Sequence, residues 1–124
     1  MLYHKDVYFK SYFKPICHKF LSREKQLTKH CINALIDDKI SISIFKSYLK
    51  QINKVKYDLI EVEETNNSIV KFVIRVSYSN TKDMCVVFAR DINTRILTVK
   101  SIWLNDKPDK HKTLDKNKYF SLTN

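Results

Sequence analysis

The densest grouping of reactive side chains lies near the C-terminus, where Lys110, His111, Lys112 and Thr113 are consecutive and Asp115 follows. An imidazole accepts or donates a proton near neutral pH, because its ordinary pKa lies there. Ammonium groups beside it stabilise charge that builds on a phosphate in a transition state. A histidine between two lysines, with a hydroxyl two positions on, is therefore the pattern of a phosphoester site. The stretch before it delivers Lys100 and Trp103, and Asn105-Asp106 and Pro108 then turn the chain. The alternative is a solvated, charged tail carrying one incidental histidine.

Other chemistries fare worse. Cys17-His18 and His30-Cys31 are adjacent pairs, whereas zinc ligands are spaced by two to four residues so that both side chains converge. No metal site is expected. Three cysteines, Cys17, Cys31 and Cys85, cannot form a closed disulfide framework, and they suit a reducing compartment. Cys31 falls on an apolar helical stripe and Cys85 in the most hydrophobic strand, so both read as core rather than as nucleophiles. The chain has no glycine. That excludes the Walker A loop, the G-x-G-x-x-G dinucleotide turn and the G-x-S-x-G nucleophile elbow. No cofactor is expected, and phosphate must be handled by side chains.

The charge indicates the partner. Among 124 residues, 23 are Lys or Arg and 13 are Asp or Glu, a net charge of +10. Nucleic acid is the first candidate and an anionic membrane surface the second. Lysine outnumbers arginine 19 to 4, a bias that matches AT-rich coding, so part of the excess is codon pressure. The distribution is uneven: residues 1–30 carry a net +5, residues 31–67 a net −1, residues 68–104 a net +4 and residues 105–124 a net +2. A one-sided anion-binding face produces such a pattern.

These residues need a scaffold, and length and composition favour a single α+β domain over 1–124. Residues 1–53 are mainly helical, 55–104 form an antiparallel sheet, and 105–124 are a basic C-terminal segment. Aromatics from Tyr3 to Phe13 suggest a helix that Pro15 limits. Ser22, with Lys25 and Gln26, opens a second helix whose stripe is Leu27, Cys31, Ala34 and Leu35, ended by Asp37-Asp38-Lys39. Ser41 or Ser43 caps a third, with Ile44, Phe45, Tyr48, Leu49 and Ile52 on its apolar face. Residues 55–63 alternate loosely, with Ile60 and Val62 off phase, and Asn66-Asn67 marks a turn. Ile69 to Tyr78, Met84 to Arg90 and Arg95 to Leu104 read as strands, with short polar connections that make them antiparallel neighbours. The expected architecture is N-terminal helices packed on one face of a meander sheet of about four strands. No apolar run approaches the ~20 residues of a membrane span, and the N-terminus has no signal-peptide core. A cytoplasmic site of action follows as the expectation. Met1 favours a free-standing chain over the tip of a larger secreted toxin.

The run VVFARD (Val86–Asp91), then RILTV (Arg95–Val99), WLND (Trp103–Asp106) and HKTLD-x-x-x-Y (His111–Tyr119) resembles the C-terminal half of small toxin domains. These belong to the barnase, EndoU, colicin and RelE ribonuclease superfamily. The segment from Thr28 to Phe45 is similar to the helical opening of RelE-like members, in which a histidine, here His30, heads a helix. The resemblance covers roughly residues 25–120. It implies metal-independent endoribonuclease activity on tRNA or mRNA, in which the 2′-hydroxyl attacks the adjacent phosphate to leave a cyclic phosphate. On that resemblance His111 is the general acid or base, with His30 as a second catalytic histidine. Thr113 bonds the scissile phosphate, and Lys100, Lys112 or Arg90 hold its charge. Trp103 or Tyr119 stacks a base, and Arg95 and Lys110 extend the RNA-binding surface. An acidic antitoxin or immunity protein is the implied partner. The rival readings are a non-catalytic nucleic-acid-binding module, such as a phage or bacterial regulator, and a protein that binds an acidic partner through the same face. For His30 and Trp103 the alternatives are a structural helix residue and a core residue.

Overall fold

A computed structural model describes residues 2–4, 7–91 and 93–108. In chain order the elements are β1 (Leu2–His4), α1 (Val7–Phe20), β2 (Lys25–Leu27), α2 (Lys29–Asp37) and α3 (Ile42–Leu49), followed by a 3-10 turn over Ile52–Lys54. The strands β3 (Asp58–Thr65), β4 (Ser68–Ser77), β5 (Lys82–Arg90) and β6 (Leu97–Asp106) follow. These last four are antiparallel neighbours in a meander, as the short polar connections require. The class is α+β with the helices first in the chain, as expected. The sheet is wider than expected, with order β1-β3-β4-β5-β6-β2. β1 adds antiparallel to β3, and β2 adds parallel to β6.

The helices cover one face of the sheet. Phe72, Ile74, Val86, Phe88, Val99 and Ile102 meet Phe13, Cys17, Leu21, Leu35, Phe45 and Leu49 in one buried cluster. α1 does not stop at Pro15 but runs on to Phe20. Proline removes one intrahelical hydrogen bond, at a cost of about 3 kcal/mol. Phe13, Cys17 and Leu21, four residues apart, form the buried stripe that offsets it.

The second helix begins later than the serine signal suggests. Ser22 Oγ donates to the Lys19 carbonyl at 2.9 Å, at the end of α1. Lys25 to Leu27 extend beside β6 instead, and Thr28 is the N-cap of α2, its Oγ1 accepting from the Cys31 N–H at 3.0 Å. Ser41, not Ser43, caps α3 through the Ile44 N–H. Ile44 itself is 70% exposed and lies off the buried face that Phe45 and Leu49 form.

Without glycine, left-handed backbone falls to other residues. Asn66 (φ 52°) and Asn67 (φ 62°) make the β3–β4 hairpin turn, where two successive positive φ values suit the twist of the strands. Lys39 (φ 58°) ends α2, a position where a Cβ is unfavourable.

Two of the three register shifts among the described strands shape the other face. In β3, Leu59 pairs with Ile74 and Glu61 with Val73, so Ile60 is the extra residue. In β6, Val99 pairs with Phe88 and Ser101 with Val87, so Lys100 is the extra one. The off-phase Ile60 and Val62 are the sequence trace of the first bulge. On this second face Ile60, Val73, Cys85, Val87 and Trp103 form a separate buried cluster. At one end of the same face Arg75 Nε donates to Asp83 at 2.8 Å and Arg75 Nη2 to the Asp106 carbonyl at 3.1 Å. Lys107 Nζ joins them, at 2.9 Å from Asp83 and 2.7 Å from Ser77 Oγ.

Candidate functional site

A cavity of about 240 Å³ opens on the second face, beside the N-terminus of α2. Its base is one cross-strand row: Glu61 pairs with Val73, Val73 with Val87, and Val87 with Ser101. A carboxylate thus stands at one end of the row and a hydroxyl at the other, with two valines between. Adjacent strands lie about 4.8 Å apart, so the row spans roughly 14 Å. Lys71, two residues before Val73 on the same face of β4, adds an ammonium group. It lies 3.4 Å from Glu63, a partly exposed pair of small energetic weight. Lys100, Thr28 and His30 complete the wall beyond β6.

The positions of these side chains follow from the fold. Bulges re-aim side chains and recur beside functional sites. Here one places Glu61 opposite Val73 and the other sets Lys100 outside the ladder. The Thr28 hydroxyl donates to the Lys100 carbonyl at 3.0 Å while it caps α2. One residue therefore fixes the helix end that carries His30 and ties it to the bulge that carries Lys100. His30 and Lys100 are exposed, whereas Glu61 and Ser101 are buried. A basic rim over a floor holding one carboxylate and one hydroxyl can receive an anionic group and move protons beside it.

The candidate residues separate into three groups. His30 and Lys100 are brought together at the cavity. Arg90, Trp103 and Arg95 are not. The Arg90 guanidinium lies 4.1 Å from the centre of the Phe20 ring and donates to the Ile69 carbonyl at 2.7 Å, on the helix-covered side. Trp103 is 1% exposed within the second-face cluster, so it serves as core beside the cavity and presents no ring for stacking. Its indole N–H has no hydrogen-bond partner among the described residues. Arg95 is exposed on the bend before β6. Lys110, His111, Lys112, Thr113 and Tyr119 lie outside the described residues.

Glu61, Lys71 and Ser101 escaped the sequence reading, because single polar residues inside apolar strand runs look like ordinary alternation. The signal available was a row property: charged residues on one face of β3 and β4 that the register sets beside one another.

The thiols take no part. Burial pushes Cys17 up to about 12, against the opposing pull of Arg90, and Cys31 up to about 11. Both are protonated at neutral pH and sit in the helix-side core. Among the described residues no group of three or more His, Cys, Asp or Glu side chains is placed to hold a metal ion, and no helix is long and apolar enough to cross a membrane. Comparisons with models of known protein families, with curated proteins and with solved structures give no match to this chain.

Proposed function

We propose that this chain is a toxin-type ribonuclease that takes single-stranded RNA into the second-face cavity and cleaves it without a metal ion. The observation that carries this reading is the convergence of His30, Lys100 and Lys71 on a cavity whose base holds Glu61. The resemblance to small toxin ribonucleases supports the reaction type. A cavity of about 240 Å³ is smaller than the pockets of drug-sized ligands. It suits one nucleotide unit of a longer chain rather than a whole ligand.

The proposal gives Glu61 the part of general base, acting as a carboxylate, and His30 the part of general acid, acting as an imidazolium. The RNA 2′-hydroxyl gives its proton to Glu61 as its oxygen bonds to the adjacent phosphorus. The bond from phosphorus to the 5′ oxygen breaks, and that oxygen takes a proton from His30. The products are a 2′,3′-cyclic phosphate and a free 5′-hydroxyl. Lys100 and Lys71 hold the charge that builds on the phosphate oxygens, where electrostatics contributes most of the rate. His111 and Lys112 belong to the same proposal through the resemblance. An acidic antitoxin or immunity protein is the expected inhibitor, and the cytoplasm the expected site of action.

The location is tested by titrating isotope-labelled protein with a short single strand whose 2′-hydroxyls are replaced by hydrogen, which binds but cannot react. The amide signals of Thr28, His30, Lys100 and Ser101 should move, and Lys100→Ala should weaken binding about tenfold. Shifts confined to the helix-covered side, or no binding at low salt, would overturn it.

A further inference from the structure

A second basic surface lies at the β2 edge of the sheet and shares no lining residue with the cavity. It is a cleft of about 540 Å³ between β2, the turn that precedes it, and helices α2 and α3. Its wall carries Arg23, Lys46 and Lys50 against one carboxylate, Glu24. Lys46 and Lys50 are one helical turn apart and both are exposed. None of the three cations has a carboxylate within ion-pair distance among the described residues. Lys25, which also lines the cleft, is committed elsewhere: its ammonium donates to the Leu21 carbonyl at 2.6 Å and the Arg23 carbonyl at 3.0 Å. The inner surface is apolar, made by Leu27, Ile32 and Leu49.

The strand itself supplies the second observation. β2 is the last strand of the sheet, so among the described residues one of its edges has no neighbour in the sheet order. The Leu97 N–H donates to the Glu24 carbonyl at 2.9 Å, and the Thr28 N–H to the Val99 carbonyl at 3.2 Å. Glu24, Gln26 and Thr28 therefore face β6. Backbone polar groups alternate along a strand, so the N–H and C=O of Lys25 and Leu27 point away from the sheet, along the cleft.

We propose that this edge is a docking site for an extended acidic segment of a partner protein, which adds to β2 as a further strand. Its backbone pairs with Lys25 and Leu27, its alternate apolar side chains rest on Leu27, Ile32 and Leu49, and its carboxylates meet Arg23, Lys46 and Lys50. A nucleic acid matches the charge but offers no strand to pair with Lys25 and Leu27 and leaves the apolar floor unused. The inference stands apart from the reading of the cavity.

The test uses a labelled ten-residue peptide of alternating Glu and Val, a Lys/Val peptide of equal length, and a ten-nucleotide oligouridine. The Glu/Val peptide should bind the full chain and slow hydrogen exchange of the Lys25 and Leu27 amides at least tenfold, leaving Gln26 unchanged. The Lys/Val peptide should not bind. The Lys46→Glu/Lys50→Glu variant, with its melting temperature retained, should bind the Glu/Val peptide at least tenfold more weakly. Absence of peptide binding, binding without protection of those two amides, or displacement of the peptide by lower concentrations of oligouridine would each overturn the proposal.

Discussion

At the scale of single residues, three side chains carry consequences that can be measured. Lys39 holds a left-handed conformation at the end of α2, which costs a residue with a Cβ about 1 kcal/mol. Lys39→Gly should raise stability in urea by about 0.5–1 kcal/mol, partly offset by the greater freedom of glycine in the unfolded chain. Asp83 shows a second balance. Burial alone would raise its carboxyl, but hydrogen bonds and charge from Lys107 and Arg75 hold it below the usual carboxylate range. A depressed folded value means the ionised form stabilises the fold above the ordinary aspartate range, and that contribution is lost as pH falls through the folded value. The stability of the wild type should therefore drop on acidification below about pH 4, and Asp83→Asn should flatten that part of the profile. His30 is the third. It lines the cavity with Lys100, and its ring has no hydrogen-bond partner among the described residues, as its proposed role requires.

At the scale of elements, Thr28 links helix, strand and site. Thr28→Val keeps the size but loses both the α2 cap and the bond to the Lys100 carbonyl. It should cost about 1–2 kcal/mol in urea denaturation and lower RNA turnover, whereas Thr28→Ser should restore most of both. The four central strands were legible because they are long, β-branched and separated by polar turns. The edge strands were not. β2 is three residues long and is held by its pairing with β6, not by its own pattern. Pro15 misled for the reverse reason, since the local rule against interior proline was overridden by a buried stripe contributed from the tertiary fold. His30 and Lys100 were legible as residue types. That they meet depends on a bulge and a cap, which only the register reveals.

For the whole molecule, the helices close one face of the sheet and leave the other to carry the cavity, while the basic cleft occupies an edge. Part of the net charge of +10 lies on two surfaces of different build, with Lys71 and Lys100 at the cavity and Arg23, Lys25, Lys46 and Lys50 at the cleft. Binding of single-stranded RNA at the cavity should weaken with salt, with a log–log slope of about −1.4 if Lys71 and Lys100 each neutralise one phosphate. Lys100→Ala should reduce that slope by about 0.7, and Lys46→Glu/Lys50→Glu should leave it unchanged. The most direct measurement is cleavage itself: end-labelled single-stranded RNA incubated with purified protein and excess chelator, with products resolved by end-group chemistry. The account predicts fragments ending in 2′,3′-cyclic phosphate, formed at least 100-fold more slowly by His30→Ala, which still binds the same RNA. Intact RNA with folded wild-type protein, or cleavage undiminished in His30→Ala, would contradict it.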